Sequence, residues 1–309
     1  MSMQAQVPEQ LVRQLREKKQ LLEANNPQHK AIKTALVIDG GAMRGVFAAG
    51  AVAALKELGL ENVFDMVIAV SAGTLSAAYF LGGEAEKAVK VFCEDLATRR
   101  FINFFTLRPE KVVGFDYVSE ILLQKEPIRQ EVIKKSRSII YFGVTDPDTG
   151  KAVYLDVKKE KCNLVDAIFA SSSMPLLHEK VPPVNHKKYL DGMIACGIPI
   201  APALQYGCTD ILIIENTPLG KPDLAHIPFL PFLFHIYRYE VSDAAKKAIF
   251  AKGERYQQTL KEIENAQKRG VTIGIIAPEK LRIGPFSIKK ELLESVAKEG
   301  RDKTLQLFR

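Results

Sequence analysis

The sequence predicts an α/β fold, a three-layer α/β/α sandwich whose central sheet is mainly parallel. Short apolar runs alternate along the chain with longer segments in which apolar residues recur every three or four positions. This alternation of buried strands and amphipathic helices is typical of parallel sheets, in which the chain returns through a helix. Two of the apolar runs lead through small-residue turns into helices, at residues 39–45 and 71–73. We therefore expect the functional groups at the carboxyl edge of the sheet.

Length and composition describe an ordinary globular protein. The 309 residues are 47% hydrophobic and 26% charged, which is enough to bury a large core. We expect one α/β domain over residues 31–309, with a motif-bearing core at residues 34–202 and an αβ completion at residues 203–309. Residues 1–30 are predicted to be an N-terminal extension with an amphipathic helix. The basic face of that helix carries Arg13, Arg16, Lys18 and Lys19.

Charge and cysteine content indicate which kinds of partner and which cellular compartment to expect. The net charge is +7, but the basic residues form no arginine-rich or aromatic-interleaved stripe, so we expect no nucleic-acid partner. The four cysteines are widely spaced and have no histidine cluster nearby, which predicts no metal site and a reducing compartment. The N-terminus resembles no signal peptide, and no apolar run approaches the ~20 residues of a membrane span. We expect a cytoplasmic protein, with peripheral membrane contact through the basic helix as a second interpretation.

The first motif is a glycine-rich loop between a strand and a helix. The strand at residues 34–38 is followed by Asp-Gly-Gly-Ala-Met-Arg-Gly at residues 39–45 and by a helical run at residues 46–58. Backbone N–H groups of such a loop point toward an anion. That anion is either a bound phosphate or the transient oxyanion of acyl transfer. The loop matches neither a Walker A motif nor a dinucleotide-binding fingerprint, and a purely structural turn is the third interpretation.

The second motif places a serine between a strand and a helix. The apolar run at residues 63–70 predicts a buried strand, and the small residues after Gly73 predict a helix. Ser71 then lies in a sharp turn, with its hydroxyl above the sheet edge. Such a turn crowds the backbone, so the residues two before and two after must be small, and they are Ala69 and Gly73. Ser71 is therefore the candidate nucleophile, in a pentapeptide one methyl group away from Gly-x-Ser-x-Gly.

The third motif is Asp191-Gly192, which ends a short predicted strand. Asp191 follows Ser71 by 120 residues, so any contact between them is tertiary. The residues alone leave two interpretations for Asp191: a base that faces Ser71, or an ordinary turn aspartate.

In this order, the three motifs resemble those of the patatin-like phospholipase family. The family's Asp-Gly-Gly-Gly-x-Arg-Gly loop matches residues 39–45 except at Ala42, and its Gly-x-Ser-x-Gly elbow matches residues 69–73 except at Ala69. Its Asp-Gly-Gly or Asp-Gly-Ala motif matches residues 191–193 except at Met193. The resemblance implies a lipid acyl hydrolase, a phospholipase or esterase that cleaves lipid or other carboxylic esters without a metal or a cofactor.

The resemblance also implies roles for individual residues. It makes Ser71 the nucleophile and Asp191 the general base of a catalytic dyad. The implied oxyanion hole consists of the backbone N–H groups of Gly40, Gly41 and Ala42. The supporting motif residues are Met43, Arg44, Gly45, Ala69, Gly73 and Gly192. Two roles stay open for Arg44, which either steadies the loop or meets a substrate phosphate.

The remaining elements continue the α/β alternation. A hairpin is predicted at residues 138–145 and 152–156, around an Asp/Pro/Gly turn. Ala-Ser-Ser-Ser-Met-Pro at residues 170–175 is similar to a stretch of the family, and we interpret its serines as packing and helix-end residues. Other predicted helices span residues 84–100, 164–169, 241–269 and 287–307, and other predicted strands span residues 210–215 and 270–276.

Alternatives to this interpretation stay open. A Ser-His-Asp triad would use His226 or His235. Both histidines lie in a Pro- and Phe-rich stretch at residues 225–237, which is interpreted as core or as a lipid-contacting lid. A non-catalytic lipid-binding or regulatory protein would fit the departures at the three motifs, and phosphate or nucleotide binding would fit the glycine-rich loop. Head-group preference, acyl-chain position and oligomeric state do not follow from these patterns.

Overall fold

The computed structural model describes residues 6–103, 112–159, 163–175, 182–220 and 242–308. Within these residues, seven strands form a single sheet. The strands are β1 (Thr34–Ile38), β2 (Met66–Val70), β3 (Ile139–Thr145), β4 (Ala152–Asp156), β5 (Leu190–Asp191), β6 (Asp210–Ile214) and β7 (Thr272–Ile276). Six of them follow the apolar runs that the sequence predicted. The two-residue strand β5 is the end of the short strand that was predicted to end at Asp191.

The sheet is mainly parallel, as the sequence predicted. Its order is β4-β3-β2-β1-β6-β7, and β2, β1, β6 and β7 run parallel to their neighbours, with β3 parallel to β2. Strands β4 and β5 both pair with β3 in the antiparallel direction. The chain leaves β1 toward β2 on one side and later adds β6 and β7 on the other. The carboxyl ends of β1, β2 and β6 therefore meet at one edge, where α/β sheets bind ligands.

Helices cover both faces of the sheet. They are α1 (Glu9–Glu23), α2 (Val46–Glu57), α3 (Ala72–Leu81), α4 (Ala85–Lys90), α5 (Phe115–Glu120), α6 (Gln130–Lys135), α7 (Leu164–Ser171), α8 (Ala201–Tyr206), α9 (Asp243–Phe250), α10 (Lys252–Lys268) and α11 (Lys290–Leu307). The helix predicted over residues 84–100 continues from α4 only to Asp95, through a π-helical turn. The helix predicted over residues 241–269 is divided at Ala251, whose φ of −83° and ψ of 6° interrupt it.

The buried side chains form a core on each face of the sheet. In β1, Leu36 and Ile38 belong to one core and Ala35 and Val37 to the other, and all four are fully buried. The first core packs beneath α1, α2, α3 and α11, and the second beneath α8 and α10. A strand with two apolar faces needs helices on both sides. The three-layer architecture is confirmed.

The N-terminal helix α1 packs its apolar side on the first core through Leu11 and Leu15. The assignment of Lys18 to an exposed basic face is wrong, because this side chain is fully buried. Its Nζ donates to the carbonyl of Ile32 at 2.6 Å and forms a salt bridge with Asp65. Periodicity alone cannot distinguish a solvated lysine from one that is paired inside the protein. In the described part of the chain, no helix has the length and apolarity that crossing a bilayer requires.

Helices α2 and α11 cross in backbone contact at two glycines. A Cβ atom added to Gly50 would lie 1.9 Å from the carbonyl oxygen of Ala297, and one added to Gly300 would lie 2.1 Å from that of Phe47. Since α2 starts at the end of the glycine-rich loop, this crossing also fixes the helix that follows the loop.

The Gly300→Ala substitution is expected to destabilise the protein by about 3 kcal/mol, because the methyl group forces the two helices apart. Helix propensity alone would favour alanine by about 1 kcal/mol, so the sign of the effect identifies the steric cause. Urea unfolding measures it. The matched control is Gly284→Ala, where an added Cβ meets no atom within 4 Å. A Gly300→Ala variant as stable as the wild type would contradict the backbone contact.

Candidate active site

Ser71 occupies the turn between β2 and α3. Its φ of 51° and ψ of −131° lie in a region that non-glycine residues seldom adopt, as is found at functional turns. A Cβ atom at Gly73 would lie 2.5 Å from the carbonyl oxygen of Asp39, so only glycine lets α3 approach β1. Ala69 is fully buried inside β2, where its methyl group is accommodated. The two small positions of the predicted elbow therefore differ in how strictly they require glycine.

Asp191 reaches Ser71 through the register of β3. In that register Val70, the last residue of β2, pairs with Gly143. The next residue, Val144, pairs with Asp191 of β5. Strand β5 thus pairs with β3 on the side where β2 ends, next to the turn at Ser71. A Cβ atom on Gly192 would lie 2.1 Å from the carbonyl oxygen of Gly143, so the glycine of the Asp-Gly motif is required for this approach.

The side chains of Ser71 and Asp191 are in direct contact. The hydroxyl Oγ of Ser71 donates to Oδ2 of Asp191 at 2.8 Å, and the backbone N–H of Met193 donates to Oδ1 at 2.8 Å. The backbone of Asp191 is held as well, because Thr145 Oγ1 donates to its carbonyl at 2.8 Å and its N–H donates to the carbonyl of Ser173 at 2.8 Å. The carboxylate is therefore fixed in orientation against the hydroxyl.

Burial changes the acidity of this carboxyl group. Asp191 is only 2% exposed, and this burial raises its pKa to about 6, against the opposing effects of the Met193 N–H and the Ser71 hydroxyl. A carboxylate in a low-dielectric site loses hydration, which favours the protonated form. Asp191 is accordingly a stronger base than an exposed aspartate, yet it is ionised at neutral pH. That combination suits proton abstraction near pH 7.

The glycine-rich loop lies directly against Ser71. A Cβ atom at Gly40 would lie 2.8 Å from Cβ of Ser71. The N–H of Met43 donates to the carbonyl of Pro285 at 3.0 Å, and that of Arg44 to the carbonyl of Gly41 at 3.1 Å. The preceding N–H groups, of residues 40–42, have no acceptor among the described residues. Adjacent unpaired N–H groups of this kind are available to donate to an anion beside the hydroxyl.

Ala42, where the loop departs from the family pattern, and Arg44, which matches it, both have clear structural settings. Ala42 adopts a φ of 52°, a left-handed conformation that costs a non-glycine residue about 1 kcal/mol, so the alanine is tolerated under strain. Arg44 is 7% exposed, and its Nε donates to the carbonyl of Ile283 at 3.3 Å. Of the two roles considered for Arg44, this buried contact supports the one in which it steadies the loop over the one in which it meets a substrate phosphate. Gly45 is required by packing, because its Cβ would lie 2.9 Å from that of Ala72.

Asn216, which the sequence analysis missed, fixes the direction of the loop. Its Nδ2 donates to the carbonyls of Asp39 and Gly40 at 2.7 and 3.1 Å, and its Oδ1 accepts the N–H of Ala48 at 3.0 Å. In a trans peptide the C=O and N–H groups point in opposite directions. Holding these two carbonyls on the Asn216 side therefore directs the next N–H groups, of Gly40 and Gly41, to the opposite side. The available signal was a polar residue just beyond the buried strand β6.

The burial of Glu215 and the contact of Ser171 with the nucleophile turn were not predicted either. Glu215 is fully buried, and burial, followed by the charge of Asp39, raises its pKa well above the usual range. Ser171, which we had interpreted as a packing or helix-end residue, contacts the nucleophile turn. Its Oγ accepts the N–H of Ser71 at 2.8 Å and donates to the carbonyl of Gly143 at 2.6 Å. This hydroxyl anchors the backbone of Ser71 to β3.

Part of the predicted site lies outside the described residues. His226, His235 and the whole stretch at residues 225–237 fall there, so the triad and lid interpretations remain predictions. Among the residues that the structure does describe, no group of three or more His, Cys, Asp or Glu side chains is arranged to hold a metal ion.

Comparison with known proteins identifies the family to which the chain belongs. The model of the patatin-like phospholipase family matches residues 36–204, more than half of the chain. The protein therefore belongs to the patatin-like phospholipase family, as the three motifs predicted.

Individual relatives are distant. The uncharacterized protein YjjU of Escherichia coli strain K12 is 25% identical over 191 residues, which cover 60% of this chain and 52% of YjjU. The match thus spans about half the length of that relative. The crystal structure of VipD from Legionella pneumophila has a TM-score of 0.50 at 13% identity and covers 90% of this chain and 66% of VipD. At that identity the likeness shows the fold alone. The match to human GIVD cytosolic phospholipase A2 covers 100% of this chain and 66% of that protein, at 11% identity and a TM-score of 0.39. This structural likeness is weak.

Proposed function

We propose that this protein hydrolyses carboxylic esters of lipids, with Ser71 as the nucleophile and Asp191 as the general base of a catalytic dyad. The observation that carries the proposal is the 2.8 Å hydrogen bond from Ser71 Oγ to the buried carboxylate of Asp191. An acyl-transfer site needs an activated nucleophile and a stabilised oxyanion. The oxyanion hole in this proposal consists of the N–H groups of Gly40, Gly41 and Ala42. The reaction takes place in the cytoplasm, with peripheral contact to a lipid surface.

The reaction proceeds in two steps. In the first, Ser71 Oγ bonds to the ester carbonyl carbon while its proton passes to Oδ2 of Asp191, and the carbonyl oxygen takes the negative charge. Each N–H donor to that oxygen contributes roughly 3 kcal/mol in other acyl-transfer enzymes. The ester C–O bond then breaks, and the proton on Asp191 moves to the departing alkoxide. The products of this step are an alcohol and an acyl-enzyme.

The second step returns the enzyme to its starting state. A water molecule gives a proton to Asp191 as its oxygen bonds to the acyl carbon. The bond to Ser71 Oγ then breaks, and the proton returns from Asp191 to Ser71. The fatty acid is released. This sequence uses one base for both steps, and the raised pKa of Asp191 makes the base effective near neutral pH.

The pH dependence of hydrolysis tests this proposal. Only ionised Asp191 accepts the Ser71 proton, and its pKa is about 6, so kcat/KM is expected to be constant above pH 7 and to fall tenfold per pH unit below about 5.5. Hydrolysis of p-nitrophenyl butyrate between pH 4.5 and 8.5 measures the profile, with thermal unfolding at each pH as the control for folding. A folded protein whose kcat/KM is the same at pH 4.5 and pH 7.5 would contradict the role of Asp191. Absence of hydrolysis at every pH would contradict the proposed function.

A further inference from the structure

The Met193 side chain packs against Gly40, close to the nucleophile. A Cβ atom added to Gly40 would lie 2.6 Å from Cγ and 2.7 Å from Sδ of Met193, and 2.8 Å from Cβ of Ser71. The thioether and the serine therefore border the same small volume above the loop. Met193 is also the residue at which the third motif departs from Asp-Gly-Gly or Asp-Gly-Ala. An alanine there would end at Cβ and leave most of this volume open.

The backbone of Met193 shows on which side of the site its side chain lies. Its N–H donates to Oδ1 of Asp191, whose Oδ2 accepts the Ser71 hydroxyl. The side chain thus starts beside the carboxylate and extends to the loop at Gly40. It occupies the space between the base and the oxyanion-binding groups.

The chemistry of the reaction assigns this space to the leaving alcohol. During acyl transfer the proton on Asp191 must pass to the departing oxygen, which therefore lies within hydrogen-bond reach of Oδ2. The alcohol attached to that oxygen extends along the Asp191 side of the site, where Met193 stands. The acyl chain occupies another substituent position of the tetrahedral carbon, away from the base.

We propose that Met193 is a specificity-determining residue that restricts the leaving group to unhindered primary alcohols. The inference rests on the proposed function, which it deepens by naming the substrate class. A primary alcohol places a CH₂ group against the thioether, which is flexible enough to move aside. A branched or cyclic alcohol places additional carbon atoms there and collides with Met193. The preferred substrates are esters of the terminal hydroxyl of an alcohol or polyol.

Two series of esters separate the alcohol from the acyl group. The first series compares methyl, 2-propyl and cyclohexyl butyrate by titration of the released butyric acid. The second compares p-nitrophenyl acetate, butyrate and octanoate. In Met193→Ala, kcat/KM for cyclohexyl relative to methyl butyrate is expected to rise about tenfold above the wild-type ratio, while the acyl series keeps its wild-type ratios. Met193→Leu conserves the side-chain volume and is expected to keep the wild-type ratio in both series.

The outcomes distinguish this inference from the function on which it rests. Wild-type hydrolysis of methyl butyrate, with the same alcohol selectivity in folded Met193→Ala, would overturn the inference and leave the function standing. A change confined to the acyl series would also overturn it. A loss of alcohol selectivity in Met193→Leu as large as in Met193→Ala would show that side-chain volume does not determine the selectivity. That result would also overturn the inference. Failure of the folded wild type on every ester in both series would overturn the proposed function itself.

Discussion

Replacing Ser71 by alanine is expected to lower kcat for ester hydrolysis by about 10⁶-fold, to the background rate. The substitution removes the atom that forms the acyl bond in the proposed mechanism. Steady-state hydrolysis of p-nitrophenyl butyrate measures the loss, with thermal unfolding to establish that the variant is folded.

Ser76 supplies a matched control for Ser71. It lies on the same helix, α3, is fully buried, and its Oγ has no hydrogen-bond partner within the described residues. Ser76→Ala therefore removes a buried serine hydroxyl without touching the site, and its kcat is expected to remain within twofold of the wild type. Residual turnover in Ser71→Ala close to that of Ser76→Ala would mean that another residue carries the reaction.

Replacing Asp191 by asparagine is expected to lower kcat/KM by about 10⁴-fold while raising the stability of the protein at pH 8. The loss of activity follows because an amide cannot accept the Ser71 proton. The gain in stability follows because a buried, ionised carboxylate is exchanged for a neutral group of the same shape. The loss of activity and the gain in stability are both expected when a buried, ionised base is neutralised.

The pH dependence of that stability gain has a definite sign. The pKa of Asp191 is about 6 in the folded protein and about 3.9 in an unfolded chain. The folded state therefore binds the proton more tightly, and the wild type loses stability as the pH rises from about 4 to 6. Asparagine does not titrate, so the advantage of Asp191→Asn over the wild type should grow through that window and stay constant above it. Urea unfolding at pH 4, 6 and 8 measures the difference.

Asp210 is the control for Asp191. It is a buried aspartate whose pKa is also raised by burial, but it starts β6 at the opposite edge of the sheet. Asp210→Asn is expected to leave kcat/KM unchanged. An Asp191→Asn variant that keeps more than a hundredth of the wild-type activity, or that is less stable than the wild type at pH 8, would contradict the assignment of a buried general base.

The sequence predicted those parts of the fold that depend on local patterns. Strand β1 was predicted to the residue because its short, largely apolar run of five buried positions lies between polar and glycine-rich segments. The loop and the elbow were recognisable because a tight strand-to-helix turn needs small residues wherever it is used. Asp191 could be assigned a partner only through the resemblance, since β5 is two residues long and shows no periodicity.

The rest of the site depends on tertiary contacts that no local pattern encodes. Asn216 and Ser171 act on the loop and the nucleophile turn through single side chains from distant elements. The position of Met193 beside Gly40 is a contact between segments that lie far apart in the chain. Lys18 was placed on the wrong side of α1 because a salt bridge with Asp65 allows a charged residue where the helical pattern predicts a solvated one.

The most direct test of the dyad is the site and rate of covalent modification by a fluorophosphonate, which phosphonylates an activated serine. A single adduct on Ser71 of the wild type is expected, located by peptide mass spectrometry, with a rate of formation that falls below about pH 6. The adduct should be absent from Ser71→Ala, strongly slowed in Asp191→Asn and unchanged in Ser76→Ala. A folded wild type that binds lipid vesicles but takes no adduct, or takes it on another serine, would contradict the central claim. The first of these results would favour a non-catalytic lipid-binding protein on the same scaffold.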